Sequence, residues 1–410
     1  MAPRKHQRKN NNAWRLPADL LLEIIACSDP GTLVRCAATC KPLRRDILHP
    51  SFIRRISQPG GIVPPHHLLA YLHTCPMRNK SRHQGPLLSP VHPATTAVSS
   101  FIDEDLAPYL LRRDISLLRR YNPVTSRGGL VVLRRRRRRD ITKVERPSEF
   151  NPDICVYNPV TGDRTYLSDP PRLSKHCYLM KWVLLTAADG IGCSFMLLVA
   201  DVRLYNKSIT LQIAESSEAG GTSWGPLIIN RPNRVSSGWI QDDREAVVLH
   251  GGIINWLLSH VNKILTYDIH AERLRTTKTP PTQGKHTQRI LGTSSDGWLR
   301  LVIAEGFMIT TWLSLSSGWT RESVIDTEHK LQSLHPYISP PTCMEIEFER
   351  SGETSGVVLL RAYRHGQHRC LGPLILLDLE TKEMRRQNSY PSLLFELDLL
   401  QLLQKMKPFL

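Results

Sequence analysis

The sequence predicts a mainly β protein that begins with a small all-α module and continues as a β-propeller-like repeat domain. Three observations support this fold class. Apolar residues follow a helical period within residues 14–53. From residue 101 onward, short runs of β-forming residues alternate with clusters of turn-forming residues. These runs group into degenerate units of about 45–55 residues, the size of a four-stranded propeller blade.

The N-terminal module reads as three short helices. Pro17 suits the first turn of a helix, where its missing N–H is not needed. The first helix then carries an apolar face, the second begins near Asp29-Pro30, and the third ends at His49-Pro50, with Phe52 as an apolar plug. The apolar positions of the three helices are, in order, Leu20, Leu21, Ile24 and Ile25; Leu33, Cys36, Ala37 and Cys40; Leu43, Ile47 and Leu48.

Composition divides the remainder of the chain into four parts. Residues 1–13 form a basic tail that we expect to be disordered, and residues 54–100 form a connector rich in Pro, His and Ser with one short helix at 67–73. Residues 101–390 form the β domain. Residues 391–410 are predicted to form a C-terminal helix, because the helical period returns between Ser392 and Met406.

Two kinds of unit alternate in the β domain. In one kind an apolar strand ends in Asn or Asp and a turn follows, at Asn158, Asp268 and Asp378. In the other kind a tryptophan, Trp224 or Trp319, follows a Ser/Gly-rich turn. Five or six units fit the length, so the domain is a closed propeller, an incomplete one or a stacked β-sandwich. We expect the tryptophans to be mainly blade-core residues, with one or two on a propeller face.

The net charge and the cysteine content limit the possible classes of function. The 410 residues carry a formal net charge of +17, which is compatible with nucleic acid, anionic surfaces or acidic partners. The nine cysteines are scattered without a CxxC pair, so we expect reduced thiols in the cytoplasm or nucleus. No secretory leader or membrane-length apolar run occurs. No phosphate-loop, dinucleotide or zinc-protease motif occurs either. We therefore expect no cofactor, metal or catalytic residues and no membrane association.

A run of arginines is the most conspicuous low-complexity feature. It comprises Arg134, Arg135, Arg136, Arg137, Arg138 and Arg139. Such a run can be a nuclear import signal or an anion-binding patch. The favoured interpretation is a solvated loop between the strands near 130–133 and 154. No aromatic residues interleave with the arginines, so stacking on single-stranded bases is not indicated.

Residues 16–52 resemble the F-box. The residues that carry the resemblance are Leu16-Pro17, Leu20, Glu23-Ile24-Ile25, Asp29, Leu33, Cys36, Cys40-Lys41, Arg44 and Pro50-Ser51-Phe52. Leu43 stands where many F-boxes carry Trp. Segments such as CAATCKPLRRDILHPSFIRR and VYNPVTGD also resemble plant, especially grass, F-box proteins with a C-terminal propeller-like domain.

The resemblance implies a substrate-receptor subunit of an SCF-type ubiquitin ligase without catalysis of its own. The F-box would bind the adaptor subunit, and through it the cullin scaffold, while the β domain holds an unknown target protein. The residues implied to face the adaptor are Leu16, Pro17, Leu20, Leu21, Ile24, Leu33 and Val34. The alternatives are a basic nuclear or nucleic-acid-associated scaffold, and a propeller enzyme, which would require carboxylates or histidines converging at the blade axis.

Overall fold

The computed structural model contains a helical head followed by a β domain. It describes residues 16–28, 30–39, 41–56, 68–72, 88–90, 117–118, 120–136, 152–159, 161–171, 173, 180–201, 209–217, 222–230, 239–240, 246–259, 262–282, 287–334, 344–364, 374–387 and 393–397. Within these residues, no helix combines the length and the apolar character needed to cross a membrane.

The head has four helices, one more than predicted. They are α1 (Ala18–Ala26), α2 (Pro30–Thr39), α3 (Lys41–Ile47) and α4 (Pro50–Ile56). The extra helix begins at Pro50, which is favourable because proline fits the first helical position. The ring nitrogen Nδ1 of His49 accepts the Ser51 backbone N–H at 3.4 Å and so caps this helix. Side chains from all four helices make the core of the head: Ile25, Leu33, Ala37, Ile47, Phe52 and Ile56.

The predicted connector contributes strands, and its expected helix at 67–73 is wrong. Residues Leu68–Leu72 form strand β1, and residues Leu88–Pro90 form β2, which pairs antiparallel with β1. A short apolar run such as LLAYL fits both the helical period and the strand period, so the strand with which it pairs decides its conformation.

Five antiparallel sheets make the blades of a five-bladed β-propeller. Blade 1 is β3 (Tyr121–Arg127), β4 (Leu130–Arg135), β5 (Ile154–Tyr157) and β6 (Arg164–Leu167). Blade 2 is β7 (Met180–Thr186), β8 (Phe195–Asp201), β9 (Ile209–Ser216) and β10 (Thr222–Trp224), with β11 (Ile228–Asn230) also on β9. Blade 3 is β12 (Trp239–Ile240), β13 (Val247–Leu249), β14 (Ile253–Ser259), β15 (Lys263–Asp268) and β16 (Arg273–Lys278).

The last two blades follow the same order. Blade 4 is β17 (Gln288–Thr293), β18 (Leu299–Glu305), β19 (Met308–Leu315) and β20 (Gly318–Asp326). The short helix α5 (Glu328–Leu334) then leads to blade 5, which is β21 (Met344–Ser351), β22 (Val357–Arg364), β23 (Leu374–Asp378) and β24 (Met384–Gln387). The count of five settles the choice that the sequence left open.

A three-stranded sheet joins the two ends of the propeller region. Strand β25 (Leu393–Leu397) pairs with β1, giving the order β2-β1-β25, which we call the closing sheet. The helix predicted for 391–410 is therefore wrong at 393–397, and residues 398–410 lie outside the described residues. The Ser126 hydroxyl of β3 donates to the Leu394 carbonyl at 2.8 Å. The closing sheet thus adjoins blade 1 and brings the connector next to the C-terminal strand.

Apolar side chains fill the space between neighbouring blades. Strand β18 is buried at six successive positions, because both of its faces pack against another blade. Separate apolar clusters occupy the successive interfaces from blade 1 to blade 5, and a further cluster joins blade 5 to Leu394 of the closing sheet. This interleaved packing explains why the inner strands read as continuous apolar runs.

The alternation of units predicted from the sequence is confirmed. Asn158, Asp268 and Asp378 lie where the second-last strand of blades 1, 3 and 5 ends and the turn to the last strand begins, and each side-chain oxygen accepts a backbone N–H of that turn. Trp224 and Trp319 lie on the fourth strands of blades 2 and 4. Their indole N–H groups donate to carbonyls of the preceding blade, each at 2.9 Å. The two kinds of unit therefore have two local functions, turn formation and blade-to-blade attachment.

Candidate functional site

An exposed apolar stripe lies along the first helix of the head and the residues just before it. Its members are Leu16, Leu20 and Ile24, which we call the apolar stripe, and they are 57%, 51% and 52% exposed. Leu20 and Ile24 are one turn apart on the same side of α1, and Leu16 lies two residues before this helix, whereas Ile25 points into the core and is 2% exposed. Large apolar side chains that are half exposed together on a small module are typical of a docking surface.

The other residues implied to face the adaptor are divided between surface and core. Pro17 is exposed and Leu21 is half-buried. Leu33 is completely buried in the core of the head, so it does not belong to an exposed face. The side chain of Val34 lies outside the described residues. Helical periodicity placed Leu33 on the apolar side of α2. It could not show whether that side faces the other helices or a partner. Leu43, the departure from the F-box pattern, is half-buried.

An ion pair attaches α1 to α4 beside the apolar stripe. The Arg55 guanidinium donates from Nη1 and Nη2 to the two carboxylate oxygens of Glu23. These hydrogen bonds lower the pKa of Glu23. Both side chains are about half exposed, so the pair mainly orients the two helices.

The first arginines of the run are part of blade 1. Arg134 and Arg135 belong to β4, and the Arg134 side chain is 17% exposed. Its Nη2 lies 3.4 Å from the Asp169 carboxylate, and its guanidinium carbon lies 5.4 Å from the centroid of the Trp182 ring. The Arg136 guanidinium donates to the Tyr121 carbonyl at 3.4 Å.

The solvated loop expected for this run is therefore wrong for Arg134, Arg135 and Arg136. The strand continues two residues beyond its apolar segment, and the Arg136 backbone N–H still bonds to the Arg120 carbonyl at 2.9 Å. Arg137, Arg138 and Arg139 lie outside the described residues.

The turns that follow the inner strands meet at one end of the central channel. They line a cavity of about 210 Å³ with contributions from all five blades and from β25. We call this place the channel mouth; its lining includes Arg127, Asp189, His250, Gly297, Glu353 and Glu396. Trp298, next to Gly297, is 48% exposed, so one tryptophan does lie on a propeller face.

Arg127 connects several blades at the channel mouth. Its Nε and Nη2 donate to the two oxygens of Asp189 in blade 2, at 2.9 and 2.6 Å. Nη2 also donates to the Val248 carbonyl in blade 3 at 2.8 Å. Nη1 lies 4.0 Å from the Glu353 carboxylate in blade 5. A single side chain of blade 1 thus contacts three other blades.

The two remaining carboxyl groups of the channel mouth differ in their surroundings. Glu396 accepts hydrogen bonds from the Thr354 backbone N–H, the Thr354 hydroxyl and the Ser355 hydroxyl, at 2.9, 3.0 and 2.6 Å. Glu353 accepts the Gly128 N–H through Oε2 at 3.1 Å, while its buried Oε1 has no hydrogen-bond partner among the residues that the structure describes. Burial raises the pKa of Glu353 to about 8.

Gly128 is required by this geometry. Its φ of +53° is a conformation that L side chains rarely adopt, and an added Cβ would lie 2.9 Å from the Thr186 hydroxyl oxygen. The tight turn lets the Gly128 N–H reach Glu353.

Sequence reasoning missed the channel mouth. Its residues come from separate blades, and the propeller topology alone brings them together. The available signal was positional, since Arg127 ends an inner strand and Asp189, His250, Gly297 and Glu353 follow one. Within the described part of the chain, no group of three or more His, Cys, Asp or Glu residues is arranged to hold a metal ion.

A family model covers most of the chain. The model described as "Domain of unknown function (DUF7595)" matches residues 92–409. The chain belongs to the DUF7595 family. The DUF7595 match spans all five blades and β25, and a second model, described as F-box-like, matches residues 13–59, which contain the whole helical head. The N-terminal domain is thus F-box-like, as predicted. No curated protein matches the chain.

Solved structures with low similarity to this DUF7595 chain include enzymes. Prolyl oligopeptidase B from Galerina marginata is 13% identical with a TM-score of 0.33, over 63% of this chain and 32% of that one. A post-proline cleaving enzyme from Rickettsia typhi is 12% identical with a TM-score of 0.33, over 66% and 37%. The periplasmic gluconolactonase of Pseudomonas aeruginosa is 12% identical with a TM-score of 0.33, over 65% and 71%. The chain therefore spans about a third of the length of the two peptidases.

Proposed function

We propose that this protein is a substrate-receptor subunit of an SCF-type ubiquitin ligase. The observation that carries the proposal is the apolar stripe on an F-box-like head. The head binds the SCF adaptor subunit, and through it the cullin scaffold, while the propeller binds a target protein. We place this activity in the cytoplasm or the nucleus, and we look for both partners in plant cells because of the resemblance to grass F-box proteins.

The apolar stripe suits binding because it is available before the partner arrives. Leu16, Leu20 and Ile24 are about half exposed, and covering apolar surface contributes roughly 25 cal/mol per Å² removed from water. The Glu23–Arg55 pair also links α1 to α4 beside the stripe. The buried core below the stripe, which includes Leu33, keeps the stripe at the surface.

The receptor function needs no chemistry from this chain. A tethered target meets the ubiquitin-loaded enzyme at high effective concentration, and the transfer reaction belongs to other subunits. Carboxyl groups do converge at the channel mouth, as a propeller enzyme would require. However, Asp189 is bound by Arg127 and by the Thr186 N–H, and Glu396 is held by Thr354 and Ser355. These bonds support a structural role for both carboxylates.

The nucleic-acid alternative loses part of its basis. That alternative requires Arg134 to be available to phosphate, but Arg134 contacts Asp169 and Trp182. Binding of duplex DNA to the full chain, measured at several salt concentrations, tests this alternative. A steep fall of affinity with salt would favour it.

A pull-down with the purified adaptor subunit tests the proposed function. The full chain should retain the adaptor, and the Leu20→Asp/Ile24→Asp variant should not, because two carboxylates would have to be buried in the interface. The matched control is Ile229→Asp/Val324→Asp, which places the same charges on exposed apolar positions of the propeller, 59% and 42% exposed. Equal retention by both double variants, or none by the unaltered chain, would refute the proposal.

A further inference from the structure

Glu353 lies where the ring of blades closes. It is in the turn between β21 and β22 of blade 5, its Oε2 accepts the Gly128 N–H of blade 1, and it lines the same cavity as Glu396 of the closing sheet. The next residue, Thr354, donates twice to Glu396. The last blade, the closing sheet and the first blade therefore meet around this one carboxyl group.

Glu353 has fewer compensating contacts than its neighbours. The Asp189 carboxylate receives two N–H groups of Arg127 and the Thr186 N–H, and Glu396 receives three donors. Glu353 receives only the Gly128 N–H among the described residues, and its Oε1 is buried. A carboxylate that has a buried, unpartnered oxygen and a single donor costs more free energy than the neutral carboxylic acid in the same place.

We propose that the protonation state of Glu353 controls how tightly the channel mouth closes: the neutral acid favours the closed ring, and the carboxylate loosens it. The charged groups that face Glu353 come from separate elements. Arg127 on β3 favours the carboxylate, whereas Asp189 of blade 2 and Glu396 of β25 oppose it. His250, in the turn after β13, lines the same cavity. The largest influence on the pKa of Glu353 is the loss of water around its carboxylate, which raises the pKa.

The direction of the pH dependence follows from these surroundings. Burial raises the pKa of Glu353 from 4.5 to about 8 in the folded chain. A group whose pKa is higher when folded stabilises the fold fully below its unfolded pKa, and this contribution is lost as pH rises through the folded pKa. The stability of the closed channel mouth should therefore decrease between about pH 5 and pH 8, and change little above that range.

Hydrogen exchange of the full-length chain tests the proposal. The readouts are the protection factors of peptides containing Gly128 and Thr354, each normalised to the intrinsic exchange rate at that pH. Between about pH 5.5 and pH 8.5 their protection should fall by about 100-fold, given the raised pKa. In Glu353→Gln, which is neutral throughout, protection should not change with pH. Glu215→Gln, at an exposed position of β9, should behave like the unaltered chain.

Two results would overturn the proposal. One is protection at Gly128 and Thr354 that stays constant with pH in the unaltered chain. The other is a parallel fall in the unaltered chain and Glu353→Gln. If Glu353→Gln does not fold, the comparison is made within the unaltered chain against peptides of β18. Equal pH dependence in β18 and at the channel mouth would then contradict the proposal.

Discussion

Removing Arg127 should destabilise the propeller more than any other single change at the channel mouth. The perturbation is Arg127→Met, which keeps the length of the side chain and deletes its charge. Asp189 is 5% exposed, so the variant leaves a buried carboxylate without its cation. It also removes the hydrogen bond to the Val248 carbonyl.

The expected cost is about 3–5 kcal/mol, the range for breaking a buried ion pair by deleting one partner. The second variant is Arg127→Met/Asp189→Asn, in which no buried charge is left uncompensated. The amide oxygen of the new side chain at position 189 can still accept the Thr186 N–H, as the Asp189 carboxylate does at 2.8 Å. The double variant should therefore be more stable than Arg127→Met alone, with a coupling energy of at least about 1.5 kcal/mol.

Urea unfolding of the full chain, followed by tryptophan fluorescence, measures both variants and Asp189→Asn. A decrease below about 1 kcal/mol for Arg127→Met would mean that the mouth is already solvated, since exposed pairs contribute that little. Additive effects of the two single variants would show that Arg127 and Asp189 do not depend on each other. Either result would refute the reasoning that Arg127 connects the blades electrostatically.

Three further predictions concern the turn, the blade attachment and the head. Gly128→Ala should lower stability by about 1–3 kcal/mol and more than Gly192→Ala does. Both glycines have positive φ, but only Gly128 has a neighbour within 4 Å of the added Cβ. Equal melting temperatures of the two variants would contradict this. Trp319→Phe removes the bond to the Lys278 carbonyl and should cost about 0.5–1.5 kcal/mol in urea unfolding, whereas an unchanged midpoint would show that the bond contributes nothing. Leu33→Ala should destabilise the head by about 2–5 kcal/mol, and Leu20→Ala should destabilise it by less than about 0.5 kcal/mol. Hydrogen exchange of peptides from the head measures both variants. The reverse order would contradict the division into core and stripe.

The sequence predicted the elements whose signal is local. The helices around Ile25 and Leu33 follow from apolar spacing, and the turns at Asn158, Asp268 and Asp378 follow from side chains that accept nearby backbone N–H groups. These features depend on residues a few positions apart. Their conformation is therefore visible in a single sequence.

Features that depend on distant partners were not predictable. Residues 393–397 pair with β1, more than three hundred positions away in the chain, and so form a strand in a segment whose spacing suggested a helix. Arg127 and Asp189 are 62 positions apart, and Gly128 and Glu353 are 225 apart. Arg134 looked solvated because charge runs usually are, yet the strand places its guanidinium over Trp182.

Calorimetric titration of the full chain with the purified SCF adaptor subunit tests the central claim most directly. The account predicts one-to-one binding with a negative heat-capacity change, because the apolar stripe leaves water on binding. Leu20→Asp/Ile24→Asp should weaken that binding by at least about 100-fold, and Ile229→Asp/Val324→Asp should leave it unchanged. No heat of binding with the unaltered chain, or equal affinity for both double variants, would contradict the assignment of a ligase receptor.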